Sequence, residues 1–131
     1  MLISEAFKAY GAKQKNIQWS VSAFNDKDEL VVSLWKQYFK LIGKDTQIYV
    51  DKVSRWQGLG NDEFRKNIAL AHATDSVIKV IIARSAKPKI IDAGGSGANL
   101  GNTFAIKKDW FGKVKLWDGD NFEIEFVSST R

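Results

Sequence analysis

The sequence predicts an α+β protein: a bent, mostly antiparallel β-sheet or small β-barrel of about six strands, with one main helix packed on it and a short N-terminal helix. Three observations predict it. Apolar and polar residues alternate in several separate runs, which is the period of half-buried strands. One long stretch, residues 61–74, instead has a helical period, with Phe64, Ile68 and Ala71 on one face. The C-terminal segment reads as a hairpin, with Val114 and Leu116 facing Phe122, Ile124 and Phe126 across an Asp118-Gly119-Asp120-Asn121 turn.

The elements follow in order. Residues 3–10 fit a short amphipathic helix capped by Ser4, with Ile3, Phe7 and Tyr10 on one face and Gly11 to end it. From 16 to 25, Ile17, Trp19, Val21 and Ala23 alternate with Gln18, Ser20 and Ser22. After a turn at Asp26-Lys27-Asp28, Leu30, Val32 and Leu34 resume the alternation, which predicts a hairpin. Trp35 falls on the opposite face to Leu34, among Lys36, Tyr38 and Lys40. Gly43-Lys44-Asp45 turns the chain into a third strand, Thr46 to Val53, with Ile48 and Val50 expected inward and Tyr49 and Asp51 outward.

Next comes a glycine-bracketed loop holding Arg55 and Trp56. Gly58 and Gly60 are read as turn residues free to take positive φ, and Asn61 as the cap of the main helix. Val77 to Ala83 is a nearly unbroken β-branched run and predicts a central strand covered on both sides. Pro88 closes that region. Gly94, Gly95, Gly97 and Gly101 mark a flexible connection over about 92–102, and Phe104 and Ile106 begin a further strand. On the final hairpin's other face, Lys113 and Lys115 stand opposite Glu123 and Glu125.

Composition narrows the function. A chain of 131 residues is read as one domain, 1–131, long enough to bury a core without staples. It has no cysteine, which excludes disulfides and thiolate metal sites and fits a reducing compartment. With no apolar run of bilayer length and no signal-peptide centre, the expected location is the cytoplasm, with no membrane partner. The net charge of +5 suits nucleic acid or another acidic partner. Between Lys79 and Lys115 stand eight basic residues against Asp92 and Asp109.

Catalytic and cofactor motifs fit poorly. After the glycines of 94–101 comes Asn102-Thr103, where a phosphate-binding Walker loop needs Lys-Ser/Thr. A dinucleotide fingerprint needs glycine where Leu100 stands and a helix after it. His72 is the lone histidine, late in the helix, where the helix dipole accounts for it. Asp118, Asp120, Glu123 and Glu125 lack the spacing of a calcium loop. Nor does any strand carry the acidic residue and Glu-x-Lys pattern of metal-dependent nucleases. The chain is therefore read as non-catalytic, with no cofactor and no metal.

Aromatic and basic residues interleave in three connections: Trp35-Lys36-Gln37-Tyr38, Lys52 with Arg55-Trp56, and Lys107-Lys108-Asp109-Trp110. Aromatic faces stack on bases while Lys and Arg neutralise phosphates. The leading expectation is thus nucleic-acid binding, with base stacking or the reading of a modified or flipped base. Lys52, Arg55, Arg65, Lys107 and Lys108 would meet the backbone, and Trp56, helped by Trp35 or Trp110, would stack. Two other readings stay open. One is a protein-interaction module such as a phage or mobile-element adaptor or inhibitor. The other is an enzyme on a small anionic ligand with the 94–101 loop as lid.

Overall fold

In the computed structural model, residues 1–87, 89 and 102–128 are described. Chain order is α1 (Ile3–Ala9), β1 (Ser22–Phe24), β2 (Leu30–Trp35), β3 (Phe39–Gly43), β4 (Thr46–Lys52), α2 (Leu59–Thr74), β5 (Ile78–Arg84), β6 (Thr103–Ile106), β7 (Trp110–Trp117) and β8 (Asn121–Ser128). Short 3-10 turns, Lys36–Tyr38 and Val53–Arg55, follow β2 and β4. The strands form one sheet in the order β1-β2-β5-β7-β8-β4-β3, with β6 also paired to β5. Every described pairing is antiparallel except β2 with β5. This is the expected α+β class, with eight strands rather than about six. The strand absent from the sequence reading is β3, whose Phe39 pairs with Tyr49 of β4.

β5 is central and covered on both faces, as its β-branched run predicts. On one face Ile78, Val80 and Ile82 join Leu30, Val32 and Leu34 of β2, Phe64, Ile68 and Ala71 of α2, and Phe122, Ile124 and Phe126 of β8. On the other, Val31 and Ile81 meet Ala6, Phe7 and Tyr10 at α1. Fully burying an aliphatic or aromatic side chain is worth roughly 1.5–3 kcal/mol, so the strand pair and its two covers stabilise one another. Lys79 is the charged residue buried in β5; its Nζ donates to the carbonyls of Lys108 and Trp110 at 2.7 and 2.9 Å and lies 3.9 Å from the Phe111 ring centroid. It thereby ties the start of β7 to the centre of the sheet.

Several local expectations are corrected. Residues 16–21 are not strand: β1 pairs Ser22–Phe24 alone with Leu30–Val32, and Ile17 is 71% exposed. Their alternation is interrupted by a turn in which Ser20 N–H donates to Asn16 O. In β4 the faces are reversed, with Tyr49 and Asp51 buried and Val50 46% exposed. Register explains this, because Tyr49 and Asp51 pair with the core residues Ile124 and Phe122 of β8, and Tyr49 also packs edge-on against Phe39. α1 is capped from Leu2, whose N–H donates to Glu5, and not by Ser4. α2 starts at Leu59 with Gly58 as its cap, which moves Asn61 inside the first turn. In the final hairpin Lys113 does oppose Glu125, but a bulge shifts Leu116 opposite Glu123, and the Lys113 ammonium reaches Asp75 at the end of α2. The 94–101 loop lies outside the described residues.

Two buried tyrosines give the fold a pH dependence. Tyr10 donates to Val80 O at 2.7 Å and accepts from Lys107 N–H at 2.8 Å, and desolvation pushes its pKa from 10.0 to about 12. Desolvation also pushes Tyr49 well above 10.0. A phenol raised in this way contributes stability that is whole below pH 10 and lost as the pH climbs toward the folded pKa, because only the unfolded chain can ionise it. Lys79, lowered by desolvation, works the other way, since folding favours its neutral form. Denaturant midpoints should fall between pH 10 and about 12, and Tyr10→Phe should flatten that fall. An unchanged slope in Tyr10→Phe would show that Tyr10 is not responsible.

Candidate functional site

Residues 51–61 build one wall of a cleft around a buried carboxylate. The Asp51 side chain is only 4% exposed, and a charge so placed must be answered by donors. Oδ2 accepts from Trp56 Nε1 at 2.8 Å, and Oδ1 accepts from Lys52 N–H at 2.8 Å and from the Arg55 guanidinium at 3.5 Å. Arg55 also donates to the Tyr38 hydroxyl at 3.0 Å and stacks over the rings of Tyr38 and Trp56, at 4.6 and 5.1 Å. Trp56 is thus held by its own indole N–H and by the cation on its face, far from the mobile loop that its glycines suggest.

Two further contacts fix the segment. The turn between β7 and β8 reaches across, with Asp120 O accepting from Val53 N–H and Asp120 Oδ1 from Ser54 N–H, both at 2.9 Å. Asp118 in turn accepts from Asp120 and Asn121, so these carboxylates are spent on turn geometry; the hydrogen bonds hold both below the ordinary carboxylate pKa. Asn61, displaced from its expected cap position, instead reaches back with its amide to Val53 O and Trp56 O.

The opposite wall is the 16–21 turn. Gly58 does have positive φ, at +111°, but Gly60 serves close approach: a Cβ there would stand 2.3 Å from Trp19 O. Gln14 holds this wall by donating to Ser20 O, and Val21 O accepts from Ser33 N–H just beyond the short β1. At the end of β2, Trp35 N–H meets the Tyr49 hydroxyl at 3.4 Å. The result is a cleft of about 770 Å³ walled by Trp19, Trp35, Tyr49, Trp56 and Phe104, with Asp51 at its base.

The sequence-predicted residues therefore divide. Trp35 and Trp56 line the cleft, and Arg55 braces it. Trp110 does not: it packs on Phe39 and Phe126 and walls a second cavity of about 380 Å³, together with Lys107. Lys52, Arg65 and Lys108 have exposed side chains and line neither cavity. Sequence reasoning missed Asp51 and Tyr49, placed on the wrong face, and Trp19, placed in a strand. The spacing Asp51, Arg55, Trp56 was the available signal for Asp51. Comparison of the chain with protein-family models, curated proteins and solved structures finds no match.

Asp51→Ala should strand the indole and guanidinium donors and cost about 1–3 kcal/mol in denaturant unfolding, with tryptophan emission shifted as Trp56 comes loose. A stability change within a few tenths of a kcal/mol would show that the carboxylate does not organise the wall. Gly60→Ala gives a sign test. In an ordinary helix it gains roughly 0.5–1 kcal/mol, whereas here the crowding against Trp19 O predicts destabilisation in the same unfolding assay.

Proposed function

We propose that the protein binds nucleic acid without acting on it chemically, seating one unstacked base in the aromatic cleft. The observation that carries this reading is the convergence of Trp35, from the end of β2, and Trp56, from the connection before α2, on one cleft with Trp19, Tyr49 and Phe104. Its volume lies within the range that encloses small organic groups. Stacking a base on such faces is worth roughly 1–3 kcal/mol per base, enough to offset much of the few kcal/mol that unstacking costs. A base already weakened in its pairing, through modification or in a single strand, would enter most readily. Asp51 supports the non-catalytic part, because its oxygens are engaged by Trp56, Arg55 and Lys52.

In this reading Trp35 and Trp56 stack on the base and Arg55 positions Trp56. The exposed Lys52, Arg65, Lys107 and Lys108, with the +5 net charge, meet the phosphate backbone. A cysteine-free chain of this kind would work in the cytoplasm. The second reading, a protein-interaction module, draws on β3, which ends the sheet and exposes Leu41 and Ile42 along its edge.

The test is fluorescence anisotropy with labelled single-stranded and duplex DNA and RNA, at low and at physiological salt. Binding should weaken with salt, prefer a form with accessible bases, and fall about ten- to a hundredfold in Trp35→Ala or Trp56→Ala. No binding at low salt, or equal affinity in the Trp35→Ala/Trp56→Ala double variant, overturns the reading. A salt-insensitive complex with a protein would favour the second.

A further inference from the structure

We propose that the second cavity is a phosphate subsite, which seats the backbone next to the base held in the aromatic cleft; this rests on the nucleic-acid reading above. Three cations from three elements converge there. Lys36 comes from the 3-10 turn after β2, Arg84 from the end of β5, and Lys107 from the turn between β6 and β7. Among the described residues no carboxylate lines this cavity, and neither described ion pair, Arg55 with Asp51 and Lys113 with Asp75, involves the three cations. Like charges gathered around one cavity repel one another, moderately so because all three are exposed to water. An anion between them reverses that balance, and phosphate matches Lys and Arg donors in charge and geometry.

Neighbouring side chains suit a nucleotide backbone better than a bare ion. Thr103 and Gln47 add a hydroxyl and an amide to the wall. Phe39 and Trp110 supply apolar and aromatic surface, and the Lys107 ammonium lies 5.9 Å from the Trp110 ring centroid. The two cavities also share a partition. Phe104 lines both, and two consecutive pairs, Trp35-Lys36 and Ala83-Arg84, each give their first residue to the aromatic cleft and their second to the cationic cavity. A chain with its base between the tryptophans is therefore delivered with its flanking phosphate toward Lys36, Arg84 and Lys107. The sequence showed Lys36 in an aromatic-basic connection and Arg84 in a basic stretch but did not bring them together, because they are separated by almost fifty residues and come side by side only where β2 and β5 end together.

The experiment uses the triple variant Lys36→Ala/Arg84→Ala/Lys107→Ala. All three side chains are exposed, so a wild-type-like thermal melt is expected. For a labelled single-stranded oligonucleotide, the slope of log affinity against log salt should become shallower by about 2, from roughly 0.7 per cation lost. Each single variant should flatten it by roughly a third of that, which keeps the test open should the triple variant fold poorly. Separately, inorganic pyrophosphate should shift the Trp110 indole N–H resonance of the wild type and leave it unmoved in the triple variant. An unaltered salt slope in the variants, with wild-type binding intact, overturns the subsite and leaves the base cleft standing. Pyrophosphate shifts in the wild type alone, with no oligonucleotide bound, support the anion site and overturn the base-cleft reading instead. No pyrophosphate shift at Trp110 in the wild type overturns the subsite.

Discussion

The parallel pairing of β2 with β5 is the constraint on which the rest of the molecule depends. Six consecutive residues, Leu30 to Trp35, run in register beside Ile78 to Ala83, and their alternating side chains feed both hydrophobic clusters. A parallel pair cannot be joined by a tight turn, so the chain must make a long excursion between its strands. Here that excursion contains β3, β4 and α2. It returns carrying the segment 51–61 to the end of β2. In-register parallel strands finish at the same level, which sets Trp35 and Lys36 beside Ala83 and Arg84. Both cavities open at that shared end.

Within that frame, Asp51 organises the aromatic wall. Burying a carboxylate is tolerable only where donors replace water, and its donors come from the next few residues of the same connection. The indole of Trp56 is consequently oriented before any ligand arrives, and Arg55 is stacked between Tyr38 and Trp56. Such preorganisation lowers the cost of ordering side chains on binding. The β7–β8 turn adds a long-range brace through Asp120, so a hairpin remote in sequence fixes the height of the tryptophan.

The two cavities differ in kind although they share Phe104. One is walled by aromatic rings around a carboxylate that is already satisfied; the other is ringed by three cations. Stacking and charge neutralisation are the two contributions that single-stranded nucleic-acid binding combines. In the proposed reading, their separation into adjoining compartments gives each the surroundings that strengthen it: apolar contact for a ring, and clustered positive charge, unpaired among the described residues, for a phosphate.

The α+β class, the Phe64-Ile68-Ala71 face of α2, the doubly covered β5 and the C-terminal hairpin were all legible in the sequence. Each rests on a local periodicity that a single element expresses by itself, and the aromatic-basic content of the three connections is local in the same sense. The face of β4 was not local. Ile48 and Val50 look like the inward set, yet pairing with Ile124 and Phe122 turns Tyr49 and Asp51 inward, because a sheet's register obeys both strands at once. The same holds for Gly60, whose constraint is the backbone of Trp19 rather than its own φ, and for Trp110, which its lysine neighbours placed with Trp35 and Trp56 but which packs in the other cavity. The sequence by itself determined which residues could stack or carry charge. Only the tertiary structure decided which of them meet, since meeting depends on where β2 and β5 end side by side, a relation between positions almost fifty residues apart.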